Sequence, residues 1–209
     1  MSQLLDDPLR RAREALDGHD WAEAYRCFSE ADATLELDAP TLEQLAQAAY
    51  LAGHPDAATS AWERAHGAHV RAGTRLAAAV AAIQTASMEL EADSLASSNG
   101  WLNRAERLLE GEPESPVHGW LAVVRSVSEY LMGEVEASLS HARYAAELGN
   151  RYADASLQAM GLNMQGRTLI MRGEVEKGLA LLDETTALAV SGALDPVATG
   201  WVYCSTVCG

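Results

Sequence analysis

The segment GEVEASLSHARYA at residues 133–145 returns as GEVEKGLALLDET at residues 173–185, which is 40 residues further along the chain. Both segments carry a small residue, a small or large apolar residue four positions later and another small residue three positions after that. These places are held by Ser138, Ala142 and Ala145 in the first segment, and by Gly178, Leu182 and Thr185 in the second. A fixed spacing of this kind indicates an array of structural repeats.

The pattern occurs five times along the chain. Its first small residue is, in order, Ala24, Ala58, Ser98, Ser138 and Gly178, so the repeat length is 34 residues once and then 40 three times. Twelve residues before each of these lies another small residue: Ala12, Ala46, Ala86, Ser126 and Gly166. Four positions after those come large apolar residues: Leu16, Tyr50, Leu90, Tyr130 and Ile170. A small and a large residue at i and i+4 form one stripe of an amphipathic helix, so each repeat is predicted to be a pair of helices.

Glycine, proline and aspartate separate the predicted helices and set the boundaries. We predict a single repeat array over residues 1–209, with repeats at about 5–37, 38–72, 74–113, 114–150 and 151–193 and a partial sixth at 194–209. Asp20, Asp56 and Asn99 are predicted helix N-caps, Thr41 and Gln44 a capping box, and Gly149 with Asn150 a break between repeats four and five. The six extra residues per repeat are expected to lengthen the helices of repeats three to five.

The spacing on the second helix, the repeat length and the glycine turns resemble tetratricopeptide (TPR) repeats. This resemblance implies an all-α fold, an α-α superhelix or TPR-like solenoid, with five helix pairs plus a partial sixth. Three phrases are also similar to the helical-repeat regions of actinobacterial transcriptional regulators of the LuxR and MalT kind. They are HGWLAVV at 118–124, EVEKGLALLDE at 174–184 and GWVYC at 200–204.

The TPR resemblance also implies a concave groove lined by the first helix of each repeat. Carried onto this sequence, the groove positions are Tyr50, Val80, Ile83, Ser87, Trp120, Val123, Val127, Tyr130, Met160, Asn163, Arg167 and Ile170. Aromatic residues and methionine on such a face suit an amphipathic helix or an apolar ligand. The alternative is that the longer helices curl tightly and bury this face inside the array.

Composition limits the classes of partner. The net charge of −15, from 15 basic and 30 acidic residues, opposes binding to nucleic acid or to an anionic membrane. The N-terminus has no apolar signal segment, so we expect a cytoplasmic protein. An odd number of cysteines, Cys27, Cys204 and Cys208, argues against a disulfide framework and predicts buried thiols.

Few residues suggest a catalytic or metal-binding site. Glu63, His66 and His69 have a spacing that could bind a divalent metal, but no matching set occurs on another helix, so a solvated helix face is the expectation. His19 and His54 are predicted turn residues, and no nucleophile motif accompanies them. The acidic residues Glu110, Glu112 and Glu114 are expected in a solvated linker. We predict no catalytic, metal or cofactor site.

The sequence therefore predicts a non-catalytic module of a bacterial transcriptional or signalling regulator, which binds a protein segment or a small effector in its groove. The alternative is an accessory repeat segment of an enzyme, linked to a nucleotide cyclase or a metal-dependent hydrolase domain outside this chain. The apolar end, with Val202, Tyr203, Val207 and Cys208, suggests a fragment or truncation. It also suggests that a second copy or a ligand covers this end or the groove.

Overall fold

The computed structural model of the protein describes residues 6–207 and the side chains of residues 8–205. Over this range the chain forms eleven α-helices and no strand. The helices are α1 Asp6–Asp17, α2 Trp21–Asp32, α3 Ala39–Leu51, α4 Pro55–Ala72, α5 Arg75–Glu91, α6 Leu95–Leu109, α7 Pro116–Met132, α8 Val135–Tyr152, α9 Ala155–Met171, α10 Val175–Val190 and α11 Pro196–Val207. None of these helices is both long enough and apolar enough to cross a membrane.

The helices form two compact groups that divide between Leu108 and Leu109, at the end of α6. In the N-terminal group, consecutive helices from α1 to α5 pack on one another around a core that includes Phe28 and Leu42. In the C-terminal group, α8 packs on α7 and α9, and α10 packs on α9 and α11. Leu148 and Leu157 are completely buried in its core.

The small residues that define the repeat are buried in the helix pairs. Ala12, Ala24, Ala46, Ala58 and Ala86 have no exposed surface. In the pair α7–α8, the Ser126 hydroxyl donates to the Ser138 carbonyl at 2.9 Å and the Ser138 hydroxyl donates to the Ser126 carbonyl at 2.9 Å. Since each hydroxyl bonds the other helix's backbone, the two backbones lie unusually close at this point.

Glycine makes the closest approach in the pair α9–α10. A Cβ atom added to Gly178 would lie 2.5 Å from the carbonyl oxygen of Gly166 and 2.5 Å from a side-chain carbon of Ile170. Real Cβ atoms do not come so near backbone oxygen, so only glycine fits here without movement of a helix.

The turns confirm most of the predicted breaks and correct some others. Gly53, Gly73, Gly111, Gly133 and Gly173 all have the left-handed φ angles that favour glycine. The predicted break at Gly149 is wrong, because α8 continues to Tyr152 and the chain turns at Ala153, whose φ is +55°. Gly149 instead allows α8 to approach the backbone of Gln158 in α9.

The N-cap predictions are partly confirmed. Asp20 caps α2 by accepting a hydrogen bond from the Glu23 amide at 3.2 Å. Asp56 lies inside the first turn of α4, and Asn99 lies within α6, so neither is an N-cap. The cap of α3 is Asp38, which accepts from the Thr41 amide at 3.0 Å, in place of the predicted box of Thr41 and Gln44.

The added helix length begins earlier than predicted. The helices of repeats three to five have 15 to 18 residues, but α4 of repeat two already has 18, compared with 12 or 13 in α1, α2 and α3. The first lengthened interval runs from Ala58 to Ser98, and it includes most of α4. The additional residues therefore extend a helix of repeat two as well.

The longer α4 brings His66 and His69 into the core, which corrects the expectation of a solvated face. His66 is 6% exposed, and its Nδ1 lies 2.9 Å from the Ala78 carbonyl oxygen of α5. The Trp101 ring meets the His66 ring edge-on, with 5.2 Å between centroids. His69 is 8% exposed, and its two ring nitrogens lie 2.8 Å from the Thr74 hydroxyl and 2.9 Å from a Glu43 oxygen. Both histidines therefore join helices of the N-terminal group.

The tight crossing predicts opposite effects for two alanine substitutions. Gly178→Ala should destabilise the chain by about 1–3 kcal/mol, because the new methyl group overlaps the Gly166 carbonyl and Ile170. Gly100→Ala is the matched control, since Gly100 lies within α6 and has no atom within 4 Å of the added methyl group. It should stabilise by up to about 1 kcal/mol through helix propensity. Urea unfolding of both variants measures the difference, and equal effects would contradict the close contact.

The buried imidazole of His66 predicts a pH-dependent stability. Burial lowers the pKa of His66 and outweighs the hydrogen bond to the Ala78 carbonyl, which raises it, and the nearby Arg104 guanidinium lowers it further. The unfolded chain therefore binds the proton more readily, so stability should fall as the pH drops below about 6.5. Urea unfolding at pH 7.5 and 5.5 measures this loss. His66→Gln should show a smaller loss than the wild type, and an unchanged loss would contradict the assignment to His66.

Candidate functional site

The predicted groove positions fall into two classes of exposure. Seven are half-buried and retain accessible surface: Tyr50, Val80, Ser87, Trp120, Tyr130, Arg167 and Ile170. Five are buried by neighbouring helices of their own group and are at most 8% exposed: Ile83, Val123, Val127, Met160 and Asn163. The structure therefore leaves a narrower accessible face on the first helices than the sequence prediction implies.

In the N-terminal group, the accessible face of α5 is mixed in polarity. Val80 and Ser87 lie on it, and the same stripe of the helix includes Leu76, which is 42% exposed. The Tyr50 hydroxyl of α3 donates to a Glu91 carboxylate oxygen of α5 at 3.1 Å, which links the two first helices. The sequence prediction missed Leu76 and Glu91, although Leu76 lies four residues before Val80 and so one helical turn away on the same face.

In the C-terminal group, α7 carries two accessible aromatic side chains, each with a charged neighbour from α9. The Trp120 indole nitrogen donates to an Asp154 carboxylate oxygen at 3.3 Å. Asp154 also caps α9 by accepting from the Leu157 amide at 2.9 Å, which fixes the carboxylate beside the indole. At the other end of α7, the guanidinium of Arg167 lies over the Tyr130 ring, 4.9 Å from its centroid. Ten residues of helix separate the two aromatics, which is about 15 Å.

The stretch between these aromatics is closed by packed side chains. Val123 and Met160 are 2% and 6% exposed and belong to the core of the C-terminal group. Asn163 has no exposed surface, and its amide nitrogen donates to the Ser205 hydroxyl at 2.9 Å. The accessible face therefore consists of two aromatic sites, Trp120 with Asp154 and Tyr130 with Arg167, joined by a closed surface. We call it the α7–α9 face.

A shallow cleft that the sequence did not predict lies among α2, α3 and α4. It has a volume of about 280 Å³ and is lined in part by Tyr25, Leu45 and Arg64. Arg64 donates to both carboxylate oxygens of Asp32, at 2.7 and 2.6 Å, and Asp32 raises the pKa of Arg64. The two charges in the wall of the cleft are therefore paired with each other.

The remaining histidines make structural contacts. His54 stacks on Tyr25, with centroids 4.3 Å apart, and His19 lies 5.0 Å from Trp21. His118 completes a capping box with Ser115 at the start of α7. His141 lies 2.8 Å from a carboxylate oxygen of the buried Glu129. Among the residues whose positions are described, no group of three or more His, Cys, Asp or Glu is arranged to hold a metal ion.

The acidic linker is solvent-accessible as expected, although Glu114 also contacts α8, and the prediction for one cysteine is corrected. Glu114 is held on α8, because it accepts hydrogen bonds from the Tyr144 hydroxyl at 3.2 Å and from Arg151, and its carbonyl accepts from the Tyr152 hydroxyl at 2.7 Å. Three hydrogen bonds to Glu114 therefore connect the linker to α8. Cys27 is buried as predicted, but Cys204 is exposed. Cys208 and the side chains of Thr206 and Val207 lie outside the described residues.

Comparison with known proteins shows the fold. No protein-family profile matches the sequence, and no curated protein matches it. Among solved structures, BtubC (BKLC) from P. vanneervenii is 17% identical, with a TM-score of 0.64 over 88% of this chain and 80% of that one. The APC/C Cut9–Hcn1 hetero-tetramer matches at 16% identity and a TM-score of 0.70, over 95% of this chain and 36% of that one. A kinesin light chain of Podosopora anserina with nearly identical TPR-like repeats matches at 12% identity and a TM-score of 0.63, over 90% of this chain and 96% of that one. At such identities the likeness concerns the fold alone, and it confirms the predicted all-α, TPR-like solenoid class.

Proposed function

We propose that this chain is a non-catalytic, cytoplasmic binding module, which holds a segment of a partner protein on the α7–α9 face. The observation that carries the proposal is the pair of accessible aromatics, Trp120 and Tyr130, each fixed beside a charged residue of α9. Tyrosine, tryptophan and arginine are the residue types that contribute most to binding energy in protein interfaces. A TPR-like fold offers such faces on its first helices.

The geometry favours an elongated segment over a small effector. The two aromatic sites are about 15 Å apart along α7, which is close to three turns of a bound helix. Val123 and Met160 fill the space between them, so no cavity for a compact ligand separates the two sites. The proposed partner segment has large apolar side chains about ten residues apart if it is helical.

The fixed charges suggest the polarity of the partner segment. Asp154 beside Trp120 favours a basic side chain at that end, and Arg167 over Tyr130 favours an acidic side chain at the other. The chain as a whole has a net charge of −15, which favours partners with an overall positive charge.

The absence of catalysis is part of the proposal. It is supported by the structural roles of the histidines, since each is engaged in a cap, a ring contact or a hydrogen bond within its own group. The proposed setting is a bacterial transcriptional or signalling regulator of the LuxR and MalT kind. The support for this setting is the similarity of residues 118–124, 174–184 and 200–204 to the repeat regions of such regulators.

Selection from a random peptide library on the purified chain tests the binding proposal. Peptides with two large apolar residues about ten positions apart should be enriched. Trp120→Ala and Tyr130→Ala should each weaken their binding by about tenfold or more, because an interface aromatic commonly contributes upward of about 1.4 kcal/mol. Fluorescence anisotropy with a labelled selected peptide measures the affinity.

Val190→Ala is the control, since Val190 is a 69% exposed apolar residue on α10, a second helix. This variant should bind the peptide as the wild type does. If the library yields no binder, or if Val190→Ala weakens binding as much as Trp120→Ala does, the α7–α9 face is not the binding site.

A further inference from the structure

The two aromatic sites of the α7–α9 face carry opposite charges at its two ends. Asp154 lies at the amino-terminal end of both helices, because it caps α9 and contacts Trp120 in the second turn of α7. Arg167 lies at the carboxyl-terminal end, since it is in the last two turns of α9 and covers Tyr130 near the end of α7. The two helices are therefore parallel, and the face has a negative charge at its amino-terminal end and a positive charge at its carboxyl-terminal end.

The contacts that hold these two side chains leave their charges in place. The Asp154 carboxylate accepts hydrogen bonds from the Leu157 amide and the Trp120 indole, and both donors are uncharged. The Arg167 guanidinium lies on the face of the Tyr130 ring, which is also uncharged. Both charged side chains are half-buried, which strengthens their interaction with a charged group of a partner.

The two aromatics and the arginine do not belong to the packing pattern that the repeats share. Forty residues before and after them the chain has aliphatic residues or methionine: Val80 and Met160 for Trp120, Leu90 and Ile170 for Tyr130, and Val127 and Val207 for Arg167. The packing of the helix pairs therefore does not require aromatic or arginine side chains at these places, which favours a role in binding.

A helical partner segment suits this face better than an extended one. The described part of the chain, residues 6–207, contains no strand, so an extended segment finds no sheet edge to which its backbone groups could bond. A helix satisfies these groups internally, and about ten of its residues span the roughly 15 Å between the two aromatic sites.

The charges of the face determine the direction of such a helix. A basic side chain of the segment pairs with Asp154 at one end, and an acidic side chain pairs with Arg167 at the other. A helix is itself more stable with acidic residues in its first turn and basic residues in its last turn. Both conditions are met only when the amino terminus of the segment lies at the Arg167 end. In the opposite direction, the side chains that match the face oppose the segment's own helix dipole.

We infer that the partner segment is an amphipathic helix that lies antiparallel to α7. It has an acidic residue in its first turn, two large apolar residues about ten positions apart, and a basic residue in its last turn. This inference rests on the proposed binding at the α7–α9 face, to which it adds the conformation, the direction and the charge order of the partner segment.

Two synthetic peptides of identical composition test the charge order. The first has glutamate in its first turn, arginine in its last turn and two leucines about ten positions apart in a background of alanine and glutamine. In the second, the glutamate and the arginine are exchanged. Fluorescence anisotropy should give an affinity at least about threefold higher for the first peptide, because only its end charges favour the helix.

A pair of cap variants then tests the contact with Asp154. Asp154→Asn should weaken the binding of the first peptide severalfold, because asparagine keeps the α9 cap but removes the charge. Asp38→Asn is the matched control, since Asp38 caps α3 in the N-terminal group in the same way. It should leave the affinity unchanged, and equal effects of the two variants would contradict the inferred pairing. Circular dichroism checks that both variants are folded.

Disulfide crosslinking tests the direction. With Cys204 and Cys208 replaced by serine, a single accessible cysteine is introduced as Leu131→Cys at the carboxyl end of α7 or as Val117→Cys at its amino end. The first peptide with a cysteine at its amino terminus should crosslink mainly to Leu131→Cys. The same peptide with a cysteine at its carboxyl terminus should crosslink mainly to Val117→Cys.

The outcomes separate this inference from the proposed function. If neither peptide binds, or if Trp120→Ala leaves their binding unchanged, binding at the α7–α9 face is wrong and the inference is wrong with it. If both peptides bind and Trp120→Ala weakens both, but their affinities are equal or the crosslinking pattern is uniform or reversed, the face binds a segment and the inferred direction is wrong.

Discussion

The close approach of two helix backbones at one small residue from each is the constraint on which this structure depends. Where Ser126 meets Ser138 and Gly166 meets Gly178, no larger side chain fits between the helices. The crossing point is thereby fixed at the same place in each pair, and the residues on either side acquire defined neighbours. Because the crossing recurs every 40 residues from Ala58 onward, equivalent positions in these repeats can be compared directly.

This crossing could be predicted because the spacing of twelve residues between the small residues is present in the sequence itself. The sequence did not predict where every helix ends, since glycine serves two purposes that look alike in a sequence. Gly133 turns the chain with a left-handed φ angle, whereas Gly149 lies within a helix and admits the backbone of Gln158. The burial of His66 was missed for a related reason. A histidine can be polar surface or a buried hydrogen-bonding group, and the Ala78 carbonyl that accepts from it lies 12 residues away, on another helix.

The sequence does not determine how much of the candidate face is accessible. Helical periodicity identifies the stripe of α7 that contains Trp120, Val123 and Tyr130, but it does not say how much of the stripe the adjacent first helix covers. In the folded chain α9 packs directly on α7, so Val123 is buried while the aromatics at both ends stay accessible. Asn163 shows the same limit, because its buried amide is bonded to Ser205, 42 residues further along the chain.

The helix α11 lacks the glycine that admits the close approach of α9 to α8. In α9, Gly161 lets the helix lie against the backbone of Ala146, and α8 and α9 are in close contact. The equivalent residue of α11 is Trp201, whose indole is too large for such an approach, and α11 contacts α10 much less extensively. The Trp201 indole nitrogen is buried without a hydrogen-bond partner among the described residues, which costs about 1–3 kcal/mol. The close α8–α9 crossing therefore depends on a residue without a side chain at position 161, and the repeat does not reproduce that residue 40 positions later.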